Sequence, residues 1–167
     1  IVSAPNLMSG YDNLVGGYNG SYAQIIKISG LTNILYNYTV SGLDAIDIII
    51  PRPGGGYFAL GSGTIIGKKR PVILSLTESG NSLSIDWAKV LNDNSTQYSL
   101  GYIGVMNSAQ IAYTDARQNT LNGIGGVDGF IAIENLNFDN CMDTLVNVSL
   151  NPLNSSSGKL EISSKNR

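Results

Sequence analysis

The sequence predicts an all-β domain built as an antiparallel β-sandwich, and three observations point there. Nine short β-branched or aromatic runs recur along the chain: "AQIIKIS", "NILYNYTV", "DAIDIII", "GTII", "PVILSL", "YSLGYIGV", "QIAYT", "GFIAIE" and "TLVNVSL". Runs of this length and composition suit pleated, half-buried strands. Gly, Asn and Pro punctuate them, as the turns between short strands require. Finally, only 13% of residues are charged while 43% are hydrophobic, and the polar remainder is mostly Asn, Ser, Thr, Gly and Tyr. That balance suits an extracellular β-protein better than a helical cytosolic one.

Taken in order, the runs at 23–29, 33–40 and 44–50 lead into "PRPGGG" at 51–56, which reads as an exposed turn. "GTII" and "PVILSL" follow, and then "SIDWAKVLND" at 84–93. This segment is the one helix candidate, two turns long, with Ser84 as its cap and Asp86 near the positive end of its dipole. The runs at 98–105, 110–114 and 129–134 are strands, with "NGIGG" at 122–126 a second exposed loop. "TLVNVSL" at 144–150 has the cleanest alternation: Val146, Val148 and Leu150 fall on one face, Asn147 and Ser149 on the other. Pro152 ends that strand, so residues 1–152 form one sandwich domain and residues 153–167 a Ser-rich linker or tail.

Composition excludes several function classes. Ten Lys and Arg against 12 acids give a net charge of −2, leaving no basic surplus to neutralise phosphates, so nucleic acid is not an expected partner. No apolar run is long enough to span a membrane as a helix, and no membrane insertion is expected. The start "IVSAPN" lacks an initiator Met and a signal-peptide pattern, consistent with a processed precursor or an excised piece. A single Cys141 cannot form an internal disulfide and is expected to act as a small buried hydrophobe. Five Asn-x-Ser/Thr triplets begin at Asn19, Asn37, Asn94, Asn147 and Asn154.

Catalytic chemistry is thinly represented. Without a single histidine, Ser-His-Asp and Cys-His mechanisms and imidazole metal sites are excluded. "SSGK" at 156–159 has a Ser-x-x-Lys spacing but nothing around it to desolvate the lysine. "PRPGGG" lacks the following helix that a phosphate cradle needs. Asn137, Asp139, Asn140 and Asp143 offer calcium-type oxygens without a calcium loop's glycine and distal Glu, so an Asx-rich turn is expected and no metal. Asp44, Asp47, Asp86, Asp93 and Glu134 could supply a hydrolytic carboxylate pair, but spacing cannot show which face each other. The expectation is a non-enzymatic protein with no cofactor.

What remains is recognition. Sugars are bound by an aromatic face against the apolar side of the ring, with directional hydrogen bonds from Asp, Asn, Ser, Thr and Gln to the hydroxyls. The lone Trp87, with Asp86, Asn92, Asp93, Asn94, Ser95, Thr96 and Gln97, supplies those groups in one stretch. The alternative is that Trp87 is a core residue.

Four short cues, "GSY" at 20–22, "SGNS" at 79–82, "STQ" at 95–97 following Trp87, and "VNVSLNP" at 146–152, occur in one order. In this order they resemble the lectin domains of F17-type fimbrial tip adhesins. The resemblance implies an immunoglobulin-like β-sandwich at an extracellular fimbrial tip or cell surface. It implies binding of a host glycan or glycoprotein through Trp87, Ser95, Thr96 and Gln97, to which the polar residues beside the tryptophan add Asp86 and Asn94 as expected ligand-binding residues, with a following pilin domain or pilus subunit as the other partner. The competing expectation is a structural pilus, coat or phage-fibre subunit whose partner is a neighbouring subunit; a glycan-processing enzyme or toxin fragment is the third.

Overall fold

The computed structural model describes residues 12–18, 20–30, 33–91, 98–118, 127–139 and 143–153. Every regular element among them is a β-strand, and every pairing is antiparallel. In chain order these are β1 (Asp12–Tyr18), β2 (Ala23–Ser29), β3 (Asn33–Ser41), β4 (Ala45–Pro51), β5 (Tyr57–Ile65) and β6 (Lys68–Ser79). They continue as β7 (Ser82–Leu91), β8 (Tyr98–Val105), β9 (Gln110–Gln118), β10 (Val127–Asn135), β11 (Asp143–Leu145) and β12 (Ser149–Pro152). The all-β sandwich expected from the runs is what the chain forms. The helix expected at 84–93 is not formed: β7 occupies that segment as far as Leu91.

The strands make three sheets, ordered β1-β2-β3-β12, β11-β7-β6-β5-β4 and β10-β9-β8. Successive strands mostly follow one another as meanders, the shortest connections an antiparallel sheet allows. The five-stranded sheet lies in the middle. On one face it meets the four-stranded sheet across a core that joins Ala23, Ile25, Tyr36 and Val40 to Ile46, Ala59, Val72, Leu74, Leu76, Ala88 and Val90. On its other face Phe58, Leu60 and Ile73 meet Ile103, Ile111 and Tyr113 of the three-stranded sheet, with Phe138 between them.

Being covered on both faces explains the sequence of β5 and β6. A sheet with one wet face alternates apolar and polar residues, whereas one buried on both faces reads as a nearly continuous apolar run. Phe58 through Gly63 and Pro71 through Leu76 are all buried, with successive side chains assigned alternately to the two cores. On β3, Tyr36, Tyr38 and Val40 step by two along the side that meets the core.

The sandwich is closed at both sides. β1 packs beside β4, and a side chain at Gly16 would lie 2.3 Å from Ile46 Cγ2, so only glycine permits that approach. At the opposite side the segment "TLVNVSL" changes sheets. β11 pairs with β7, Val146 N–H donates to Ala88 O (3.0 Å), and β12 then pairs with β3. Val146, Val148 and Leu150 keep the expected alternation and pack on the inter-sheet core throughout the crossing.

Candidate functional site

Two β-bulges shape the central sheet. In β7, Trp87 stands opposite Ser75 and Ile85 opposite Leu76, leaving Asp86 as the extra residue. In β4, Ile46 pairs with Gly61 and Ile48 with Leu60, leaving Asp47 extra. A bulge re-aims side chains and bends the strand locally. In β7 its effect is to bring Asp86 to the side chains of Ser75 and Thr77, on the face that also carries Trp87 and Phe58.

Asp86 Oδ2 accepts three hydrogen bonds: from Arg52 Nη1 (2.7 Å), Thr77 Oγ1 (2.9 Å) and Ser75 Oγ (3.0 Å). Because a guanidinium can only donate and an ionised carboxylate only accept, each hydroxyl sits between them, accepting from arginine and donating to aspartate. Arg52 Nη1 donates to Ser75 Oγ, Arg52 Nη2 donates to Thr77 Oγ1 (3.1 Å), and Arg52 Nε donates to Gly55 O (2.8 Å). The "PRPGGG" turn, with Gly54, Gly55 and Gly56 all at positive φ, thus seats the arginine at the end of the sheet. A Cβ at Gly56 would stand 2.2 Å from Leu76 O, so the turn can lie this close only because the residue is glycine. Burial alone would raise the Asp86 pKa, but the bonds from Arg52, Thr77 and Ser75 outweigh it and hold the carboxyl below its usual range.

Beside this network lies a row of aromatic rings. The partly buried Trp87 has its ring centroid 6.1 Å from Phe58 and 5.7 Å from Phe138, the second contact edge-on. The Arg52 guanidinium lies 6.0 Å from the centre of the Phe58 ring, and Lys89 Nζ 5.2 Å from that of Trp87. Lys89 Nζ also donates to Asn137 O (2.6 Å), Phe138 O (2.7 Å) and Asp139 Oδ1 (3.2 Å). In the "NFDNCMD" segment, therefore, oxygens of Asn137, Phe138 and Asp139 hold an internal ammonium. Phe138, at φ 52° and fully buried, is the plug that this arrangement positions.

Of the residues expected at a sugar site, Asp86 and Trp87 are adjacent and share one face; Asn94, Ser95, Thr96 and Gln97 lie outside the described residues, as do Asn92 and Asp93. Arg52, Ser75 and Thr77 belong to the site and were not anticipated. One signal for them was present: Ser75 and Thr77 are polar residues two apart in the otherwise apolar "PVILSLT", which places both on one face of a strand. Arg52 carried no comparable signal, since its contacts are fixed by a turn that brings together residues 23 to 34 apart in sequence.

A second polar cluster lies between the two larger sheets. Lys27 on β2 bonds Glu78 Oε1 on β6, and the Tyr36 and Tyr57 hydroxyls donate to Glu78 Oε1 and Oε2, both at 3.1 Å. Asp12 Oδ2 lies 3.6 Å from Lys27 Nζ. Burial would lower the Lys27 pKa, but the Glu78 bond and charge more than offset it, and the ammonium is held above its usual value. With every polar group partnered, this cluster ties the sheets together. Among the described residues no group of three or more Cys, Asp or Glu is arranged to hold a metal ion, and no helix is long and apolar enough to cross a membrane. Compared with protein-family models, curated proteins and solved structures, the chain shows no significant match.

Proposed function

We propose that this chain is the receptor-binding domain of a bacterial fimbrial adhesin, exposed outside the cell, that recognises host-surface glycans without catalysis. The observation that carries the reading is the shelf formed by Trp87 and Asp86. The half-buried Trp87, packed on Phe58 and Phe138, adjoins a carboxylate whose three internal bonds all fall on Oδ2, so Oδ1 takes part in none of them. An ionised, pre-oriented acceptor beside an aromatic face is the pairing that a pyranose ring and its hydroxyls require.

Further support comes from the pairing of β12 with β3 and β11 with β7, by which the sandwich completes its own sheets. A chaperone-usher pilin domain, by contrast, depends on a strand donated by its neighbour. A shallow shelf of this kind binds weakly at one site and gains from many copies engaging one surface.

The test is a glycan array with the wild type, Trp87→Ala, Asp86→Asn and Thr96→Ala, each checked for folding by thermal melting. A discrete glycan set bound by the wild type and lost in folded Asp86→Asn and Thr96→Ala is the expected result. Glycan binding that survives all three variants would move the site elsewhere. A blank array from a folded wild type would end the glycan reading and transfer the weight to a structural subunit.

A further inference from the structure

The edges of the sheets differ sharply in how they are protected. An edge strand presents unpaired N–H and C=O groups, and proteins blunt such edges with short strands, bulges, prolines, lysines or a covering element. β12 has four residues and ends at Pro152, and β11 has three. β4 is bulged at Asp47, ends at Pro51 and lies beside β1, which it closes in turn. β8 has a register irregularity between Leu100 and Ile103 and packs over β4, β5 and β6.

Among the described residues, β10 shows none of these devices. It runs nine residues, "VDGFIAIEN", in unbroken register with β9, contains neither Pro nor Lys, and no described strand pairs with its outer edge. Its outward face is also apolar: Ile131 is 72% exposed and Ile133 53%, while Ala132 between them packs inward on the core.

We infer that β10 is a self-pairing strand, through which two copies of the chain associate about a two-fold axis at Ala132. A two-fold interface must be self-complementary, and the sequence Ile131-Ala132-Ile133 reads the same in both directions. Antiparallel pairing centred on Ala132 sets Ile131 of each copy opposite the partner subunit's Ile133, twice, on the wet face. Cross-strand apolar pairs of this kind are the unit of sheet stabilisation. The result joins two three-stranded sheets into one of six strands.

Charge disfavours one alternative: a register centred on Ile131 would set Glu134 opposite position 128, an aspartate, whereas one centred on Ala132 sets it opposite position 130, a phenylalanine. The inference does not depend on the glycan reading, because β10 and the Trp87 shelf share no residue. It bears on that reading only by placing two shelves on one particle.

The test is sedimentation of the full chain over a range of concentrations. It is run beside Ile131→Lys/Ile133→Lys, Ile131→Glu/Ile133→Glu and an equimolar mixture of the two. The wild type is expected to reach dimer mass, each charged variant to stay at monomer mass with the melting temperature of the dilute, monomeric wild type, and the mixture to recover dimer mass. Hydrogen exchange on the unaltered chain gives a second readout that survives any folding defect in the variants: amides within 131–135 slow as concentration rises. A wild type that stays monomeric overturns the inference, as does a dimer that persists in both charged variants. So does β10 protection that does not change with concentration, which would mean that another segment of the same chain covers the edge.

Discussion

Asp47 and Asp86 are the same residue type in the same local geometry, each the extra residue of a β-bulge in the central sheet, yet their surroundings drive them in opposite directions. Asp86 meets three donors, and its carboxyl is held below the usual range. Asp47 Oδ2 is buried without a hydrogen-bond partner; burial pushes its carboxyl up, only partly countered by Lys69. Linkage then fixes two opposite pH effects. A carboxyl depressed in the folded state stabilises the protein above its unfolded pKa of about 3.9 and loses that contribution as pH falls through the folded value. A carboxyl raised in the folded state does the reverse: the unfolded chain ionises first, so stability falls as pH rises past about 4. Asp86→Asn is therefore expected to destabilise at pH 7, and Asp47→Asn to stabilise, with both differences shrinking in acid. Urea unfolding of the two variants at pH 7 and pH 3 checks this; equal effects at both pH values would show that the charges are not responsible. The sequence could flag Asp86, because it stands beside the only tryptophan, but neither its donors nor the isolation of Asp47 was legible. Both depend on contacts made across strands.

At the scale of the element, β7 shows how a bulge hides a strand. Its residues on the inter-sheet core are Leu83, Ile85, Ala88 and Val90, so the two-residue step becomes three across Asp86. Uninterrupted alternation would have declared a strand; the extra residue gives a spacing that a short amphipathic helix also satisfies. The same reading underestimated β5 for a different reason, since a strand buried on both faces has no alternation to detect and only "GTII" at its end resembled one. "TLVNVSL" is the converse: its alternation is unbroken, yet it is two strands in two sheets, because Val146 and Val148 continue to face one core while the hydrogen-bonding partners change. That crossing depends on Gly42, at φ 93°, where an added Cβ would stand 2.8 Å from Asn147 O. Gly42→Ala would put a side chain in the left-handed region and against a backbone carbonyl at once. The expected cost is ~1 to 3 kcal/mol, read by chemical denaturation. Gly54→Ala serves as a control, having positive φ but no atom within 4 Å of the added Cβ. If both substitutions cost the same, the close approach at Asn147 contributes nothing and strain alone accounts for the loss.

Across the whole molecule, the three layers are not equally bound together. The four- and five-stranded sheets share β11–β12 as a covalent and hydrogen-bonded crossing, the β1 to β4 side, and the Lys27–Glu78 cluster with its two tyrosines. The three-stranded sheet pairs, among the described residues, with neither of the others. It is held by side chains: Ile103, Ile111, Tyr113 and Ala132 on its own inner face, and Phe138, which follows β10 and inserts against Phe58, Trp87 and Tyr113. Phe138 is fully buried, and Lys89 on the central sheet fixes its backbone by donating to Asn137 O and Phe138 O. Removing that ring should therefore loosen one layer selectively, since local opening follows the contacts that a unit has to lose. Phe138→Ala is expected to cost ~3 to 5 kcal/mol and to separate the molecule into two units. Amides in β8, β9 and β10 should exchange faster than in the wild type by a larger factor than amides in β2, β3, β5 and β6. Hydrogen exchange on the folded variant, resolved by segment, measures this directly. A uniform loss of protection across all strands would mean that the layers unfold as one cooperative body, and that the core around Phe138 is an integral part of the sandwich, not a joint between it and a third sheet.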